Sequence, residues 1–238
     1  MPIRAMLLRA QPSGGGGGDP HWSSVIALLH FNGEDGSSSF PDQTGRAWNR
    51  VGDGKVSVAE WKFGGAAYQG DGSGDGLVTA SATIADMALP GDFTVEAWVR
   101  TSVNNIRKAI YSHYSSNSNP GGLALEMSAA GKLSVLSQGI SVAISSATTL
   151  PVNSWVHVAV SRIGSTLRLF INGEMDASAS VNANFTPIQP ALATIGYVLE
   201  NGVAYHSWLG FIDELRVTKG VARYVANFTP PAAPFPDA

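Results

Sequence analysis

The sequence predicts an all-β fold, two antiparallel sheets packed as a sandwich, preceded by a flexible glycine-rich leader. Three observations predict it. Apolar and polar residues alternate with period two in segment after segment, as they do where a strand turns one face to a core and the other away. Tight-turn signals separate those segments, and Asn172-Gly173 is the strongest of them. No apolar stripe of helical spacing runs longer than about two turns.

The leader comes first. Met1 to Ala10 holds a short apolar patch, Ile3, Met6, Leu7 and Leu8, interrupted by Arg4 and Arg9. A secretory signal needs an unbroken apolar stretch of about 7–15 residues, so none is expected here. Gln11 to Pro20 contains five consecutive glycines, and such a run behaves as a flexible linker. Residues 1–21 therefore read either as a disordered leader or as a tether that docks on a larger body. Residues 22–238 read as one domain, a length that suits a single sandwich.

Within that domain Val25 to Phe31 is a continuous apolar run, as in a buried strand. Phe93, Val95, Ala97 and Val99 alternate with Thr94, Glu96, Trp98 and Arg100. Leu123, Leu125 and Met127 repeat the pattern, as do Leu133 and Val135, then Val156, Val158 and Val160, then Leu167, Leu169 and Ile171. The last alternation is Leu209, Phe211, Asp213, Leu215 and Val217. Turns are expected at Ala130-Gly131 and Gly164-Ser165, and a hairpin turn at Gly70–Gly76. Gly220–Tyr224 could form one turn of helix. Phe228 to Pro236 is proline-rich; lacking amide donors, it should lie over an edge or a surface.

Composition removes several function classes. Cysteine is absent, which excludes a disulfide scaffold, thiolate-bound zinc and thiol catalysis. Fifteen basic residues against 18 acidic ones, with no basic stripe, argue against a nucleic-acid partner. No run approaches the roughly 18 apolar residues of a membrane span.

Five segments in order resemble a known family: Leu28–Gly36, Lys62–Ala67, Asp92–Arg100, Trp155–Arg162 continuing to Leu169–Gly173, and Gly210–Val217. Together they are similar to the concanavalin A-like lectin/glucanase superfamily in its laminin-G-like branch, over about residues 24–236. The resemblance implies a jelly-roll sandwich and core positions for Trp98 and Trp155. Val221 to Pro231 resembles the end of such domains in tailed-phage virion proteins. That likeness implies a tail, fibre or capsid-surface component, located in the virion after assembly in the host cytoplasm. The leader would then contact other virion structural proteins, and a homo-oligomer is compatible with this setting.

Asp213 falls in the apolar stripe of its strand, and an inward carboxylate must be paired, hydrogen-bonded or metal-bound. One reading gives it an Arg or backbone N–H partner. The other, implied by the resemblance, is a structural Ca²⁺ site with Asn32, Glu34 and Asp35 as co-ligands. Gly70–Gly76 is a second oxygen-rich loop, read here as a turn. Sugar rings stack on aromatic side chains flanked by polar groups, which nominates Tyr111, Tyr114, Asn117, Asn119, Tyr205 and Trp208. Glycoside hydrolysis needs two carboxylates about 5–9.5 Å apart, and no strand carries the alternating acids of the superfamily's glucanases. Neither a His-Glu-x-x-His nor a Gly-x-Ser-x-Gly segment is present. The expectation is a non-catalytic module binding a surface glycan; a purely structural decoration protein is the alternative, and a glycan-active enzyme the least favoured.

Overall fold

The computed structural model describes residues 17–80, 87–113, 121–137, 142–182, 184–186 and 192–238. Tyr114, Asn117, Asn119 and the leader up to residue 16 lie outside the described residues. In chain order the strands are β1 (Val25–Leu29), β2 (Trp48–Val51), β3 (Lys55–Ser57), β4 (Ala67–Asp71), β5 (Gly76–Thr79) and β6 (Phe93–Thr101). There follow β7 (Lys108–Ser112), β8 (Ala124–Met127), β9 (Lys132–Ser137), β10 (Val142–Thr149), β11 (Val156–Ile163) and β12 (Thr166–Ile171). The chain ends with β13 (Glu174–Ser180), β14 (Thr194–Ile195), β15 (Val198–Glu200), β16 (Val203–Tyr205) and β17 (Leu209–Lys219). One short 3₁₀ turn, Trp22–Ser24, precedes β1. Gly220–Tyr224 forms no helix, because its residues face the sheet and bond to it rather than to one another.

All strand pairs are antiparallel, and they build the expected two-sheet sandwich. One sheet runs β13-β12-β11-β6-β17-β4-β3, with β1 also on β17. The other runs β10-β9-β8-β7-β14-β5-β2. Alternating residues from both sheets meet in one core, where Val95, Ala97, Val158 and Leu169 face Leu125, Leu133, Val135 and Ile195. Gly164-Ser165 and Asn172-Gly173 join paired strands as the turn signals require. Gly70–Gly76 does not make a hairpin: β4 belongs to the first sheet and β5 to the second, so the loop crosses the edge of the sandwich.

β17 organises the first sheet. Its first half pairs with β4 and its second half with β1, end to end along the same edge. At that junction a β-bulge places two residues opposite one on β6, since Asp213 faces Trp98 and Arg216 faces Glu96. Glu214 adopts a left-handed φ of 51° to do so. The sequence suggested one continuous stripe from Leu209 to Val217. The bulge breaks it: Ile212, Leu215 and Val217 enter the core, and both Asp213 and Glu214 point away from it.

The proline-rich tail covers the outer face of this sheet, as its lack of amide donors suggested. Tyr224 and Phe228 stack at 3.6 Å and lie against Phe170 and His157. Phe235 sits under Arg216, 4.0 Å from its guanidinium carbon. Beneath them Glu96 is wholly buried. Burial alone would raise its pKa; the Arg216 guanidinium at 2.8 Å, with His157 and Arg223, holds the carboxyl well below the usual range. Arg216 and Arg223 also bind Asp19, which ties residues just after the leader to the tail.

His30, at the end of β1, clasps the last residues. Its Nδ1 lies 2.8 Å from Glu214 and its Nε2 3.0 Å from Asp237. Burial would lower its pKa, but the two carboxylates outweigh burial and raise it to about 9. A folded pKa above the unfolded value of 6.5 gives stability that is complete below pH 6.5 and lost as pH rises through 9. The bound on that loss is about 3 kcal/mol. The thermal midpoint is expected to fall between pH 6.5 and 9.5, and to fall less in His30→Gln. Equal slopes in the two proteins would show that the clasp contributes nothing.

Candidate functional site

The tail leaves one half of the outer face of the first sheet uncovered by its own rings. There Trp98 and Arg100 of β6, Trp155 before β11 and Phe211 of β17 come together. The segment between β3 and β4 lies over them. Lys62 places its ammonium 3.9 Å from the Trp98 ring centre, and Phe63 meets the same ring edge-on at 6.0 Å. Glu60 reaches Arg100 at 3.0 Å. Trp61, between two side chains drawn down onto the sheet, remains 47% exposed. Asn153, at a left-handed φ of 56°, adds an amide beside Arg100. The buried indole N–H groups of Trp98 and Trp155 in this patch have no protein acceptor. Trp61 is thus an exposed indole on a segment whose flanking residues, Glu60 and Lys62, meet Arg100 and the Trp98 ring, with Asn153 beside Arg100.

Three residues singled out in the sequence hold this segment in place. Asp213 Oδ2 accepts hydrogen bonds from the Lys62 and Phe63 amides at 2.8 and 3.0 Å, and Oδ1 accepts one from Glu214 at 2.9 Å. Asp35 Oδ1 accepts one from the Val58 amide at 3.2 Å. The Asn32 side chain packs against Gly64, which sits at φ 66° where a side chain would collide with it. So Asn32, Asp35 and Asp213 do come together, but around the backbone of residues 58–64. The Asp35 and Asp213 oxygens meet amides there, while Glu34 is exposed. Burial pushes the Asp213 carboxyl up to about 7, against the pull of its amide donors and with the help of neighbouring Glu214.

The aromatic candidates divide by burial. Tyr111 and Trp208 are core residues, both fully buried, and Trp208 Nε1 donates to the Phe211 carbonyl at 3.1 Å. They cannot form a sugar platform, because both lie wholly inside the core. Tyr205 is 45% exposed on the β15–β16 hairpin, which packs on Ala109 and Ala124 through Val198. The acids that gather their oxygens within 4.8 Å of one another, among the described residues, are Asp53, Asp71 and Asp75.

The family model Laminin_G_3, described as the concanavalin A-like lectin/glucanases superfamily, matches residues 71–222. The chain belongs to this superfamily. No curated protein matches it in sequence. Among solved structures, this concanavalin A-like chain is similar to domain 4 of AbnA, an extracellular arabinanase of family GH43 from Geobacillus stearothermophilus, determined with arabinotriose. Identity is 18% and the TM-score 0.63, over 84% of this chain and 94% of that one. It is also similar to the binding domain of Paraclostridial Mosquitocidal Protein 1 (13% identity, TM-score 0.61, covering 83% of this chain and 49% of that one). The receptor-binding domain of a botulinum neurotoxin C/D mosaic matches comparably (16%, 0.61, 84% and 49%), so the chain spans about half the length of either toxin chain. Likeness at these identities concerns the fold.

Sequence reasoning about this concanavalin A-like domain missed Trp61, Glu60, Lys62, Arg100 and Asn153 as a group. Trp61 carries the one legible signal: an aromatic residue flanked by opposite charges, outside any alternating segment. What fixes its segment on the sheet is the amide clamp at Asp213 together with the Glu60–Arg100 pair, which no local pattern announces.

Proposed function

We propose that this protein is a non-catalytic glycan-binding module that takes a sugar on the Trp61 platform. The observation that carries the reading is the exposed indole of Trp61, next in sequence to Glu60, whose carboxylate pairs with Arg100 beside Asn153. An indole offers its face to the apolar C–H side of a sugar ring, and the surrounding polar groups meet its hydroxyls. Support also comes from the similarity in fold to an arabinanase domain determined with arabinotriose and to toxin binding domains. The buried carboxylates support a non-catalytic role. Glu96 is held by Arg216, Glu126 by Arg107 and Ser134, Glu214 by His30 and the Phe235 amide, and Asp213 by three amides. Each is engaged in holding the fold.

The test is a glycan array that includes arabino-oligosaccharides and bacterial envelope polysaccharides, probed with the wild type and with Trp61→Ala. Saturable binding by the wild type, weakened about tenfold or more in Trp61→Ala, is expected. The thermal midpoint should not move, since an exposed side chain contributes within about 0.5 kcal/mol. Undiminished binding by the variant would place the site elsewhere, with the Tyr205 hairpin as the next surface. No binding by the wild type would favour a purely structural module. As its setting we propose a phage particle, on the resemblance of Val221–Pro231 to virion domains. Mass spectrometry of purified particles should find the protein.

A further inference from the structure

Asp53, Asp71 and Asp75 converge where the chain crosses from one sheet to the other. Asp53 stands in the turn between β2 and β3, Asp71 ends β4, and Asp75 precedes β5. One carboxylate oxygen from each lies within 4.8 Å of the others. Two oxygens sharing one calcium at about 2.4 Å can be no further apart than about 4.8 Å, so the spacing suits a single cation. Asp75 is buried and fixed, with Oδ1 accepting the Asp53 amide at 2.9 Å and Oδ2 the Asp71 amide at 2.8 Å. Asp53 and Asp71 are exposed, so the cluster opens to solvent on one side.

An independent observation comes from beneath. Tyr68 is fully buried, its ring lying among Phe31 and Phe40 in the core, and its hydroxyl has no hydrogen-bond partner. That hydroxyl emerges between Gly54 and Gly70, the residues adjoining Asp53 and Asp71; a Cβ on either glycine would come within 2.7 or 3.1 Å of it. An unpaired buried hydroxyl is costly, and this one ends beside the residues that carry two of the acids. The neighbouring cation, Lys108, directs its Nζ to the Gly72 carbonyl at 3.2 Å. Burial raises the Tyr68 pKa, and the three aspartates raise it further.

We infer that Asp53, Asp71 and Asp75, with the Tyr68 hydroxyl beneath them, form a site for a hard divalent cation of the calcium class. Carboxylates from two loops that each cross between the sheets would then share one ion, which crosslinks the sandwich edge at Gly70–Gly76. Calcium fits better than magnesium, since it accepts irregular sets of six to eight oxygens while magnesium demands a near-ideal octahedron. The inference is independent of the sugar reading, because the acids belong to the sheet-crossing loop and the Trp61 platform to the segment between β3 and β4.

The experiment uses the full chain, stripped with chelator, and titrated with Ca²⁺ by calorimetry and with Tb³⁺ by luminescence on tyrosine excitation. One Ca²⁺ per chain with a dissociation constant at or below about 1 mM is expected, together with sensitised Tb³⁺ emission that Ca²⁺ displaces. Asp53→Asn and Asp71→Asn alter exposed side chains that no other residue depends on for burial, and each should weaken Ca²⁺ about tenfold or more. Tyr68→Phe should lower the sensitised emission while leaving the ring in the core. Absence of Ca²⁺ binding at 10 mM (roughly ten times the weakest constant expected) would overturn the inference. So would Ca²⁺ binding that survives unchanged in the Asp53→Asn/Asp71→Asn double variant.

Discussion

Arg216→Met is expected to destabilise the protein by about 3–5 kcal/mol, the cost of leaving a buried carboxylate without its cation. Glu96 is wholly buried, and Arg216 meets it with both Nε and Nη2, at 2.9 and 2.8 Å. The partners that remain, the Tyr224 hydroxyl at 2.7 Å, the His157 ring at 3.2 Å and the Arg223 Nε at 4.0 Å, do not replace the two close guanidinium contacts. Arg216 also bridges to Asp19 and lies on Phe235, so its loss loosens both ends of the domain at once. A domain has about 5–15 kcal/mol in total, and denaturant titration will register a loss of this size as a large drop in midpoint. The double variant Glu96→Gln/Arg216→Met removes the orphaned charge and should recover much of the difference. A single variant as stable as the wild type would mean that the tail, and not the ion pair, holds this face together.

Trp208→Ala should cost about 3–5 kcal/mol as well, by a different route. The side chain is fully buried, and its truncation leaves a cavity and strips the Phe211 carbonyl of its indole donor. The contrast with Trp61→Ala is the informative measurement. Of these two tryptophans, the buried one should change stability, and the 47% exposed one should change sugar affinity with little effect on the unfolding midpoint. If Trp208→Ala unfolded at the wild-type midpoint, the packing of β17 against the core would have to be redrawn.

Period-two patterning made the sandwich legible because the rule is local: alternate residues of a strand face opposite ways whatever the strand pairs with. The same locality explains the errors. Asp213 was read as inward because a bulge of one residue reverses the face of everything beyond it, and the signal for that reversal is weak: Ile212 alone, out of phase with Leu215 and Val217, is the apolar residue that enters the core before the bulge. Gly70–Gly76 has the composition of a hairpin turn, yet it crosses between sheets, a choice set by which edges lie near β4 and β5. For Asp213 the sequence left backbone N–H groups and a cation open, and the structure gives it three amide donors. Backbone amides carry no mark in a sequence, and a carboxylate oxygen suits an amide as readily as a cation.

By itself the sequence determined the all-β class, most of the strands and the position of the turns, the superfamily, and the surface course of a tail too rich in proline to join a sheet. Only the tertiary structure decided that Trp208 and Tyr111 are core, that Trp61 stays exposed while Glu60 pairs with Arg100, and that Asp53 joins Asp71 and Asp75. The physical reason is the range of the interactions. Strand periodicity and turn geometry act over a few residues, whereas Glu60 lies 40 positions from Arg100, and Lys62 lies 151 from Asp213. Such pairs form only when the sheets close, and only closure determines which side chains water can still reach.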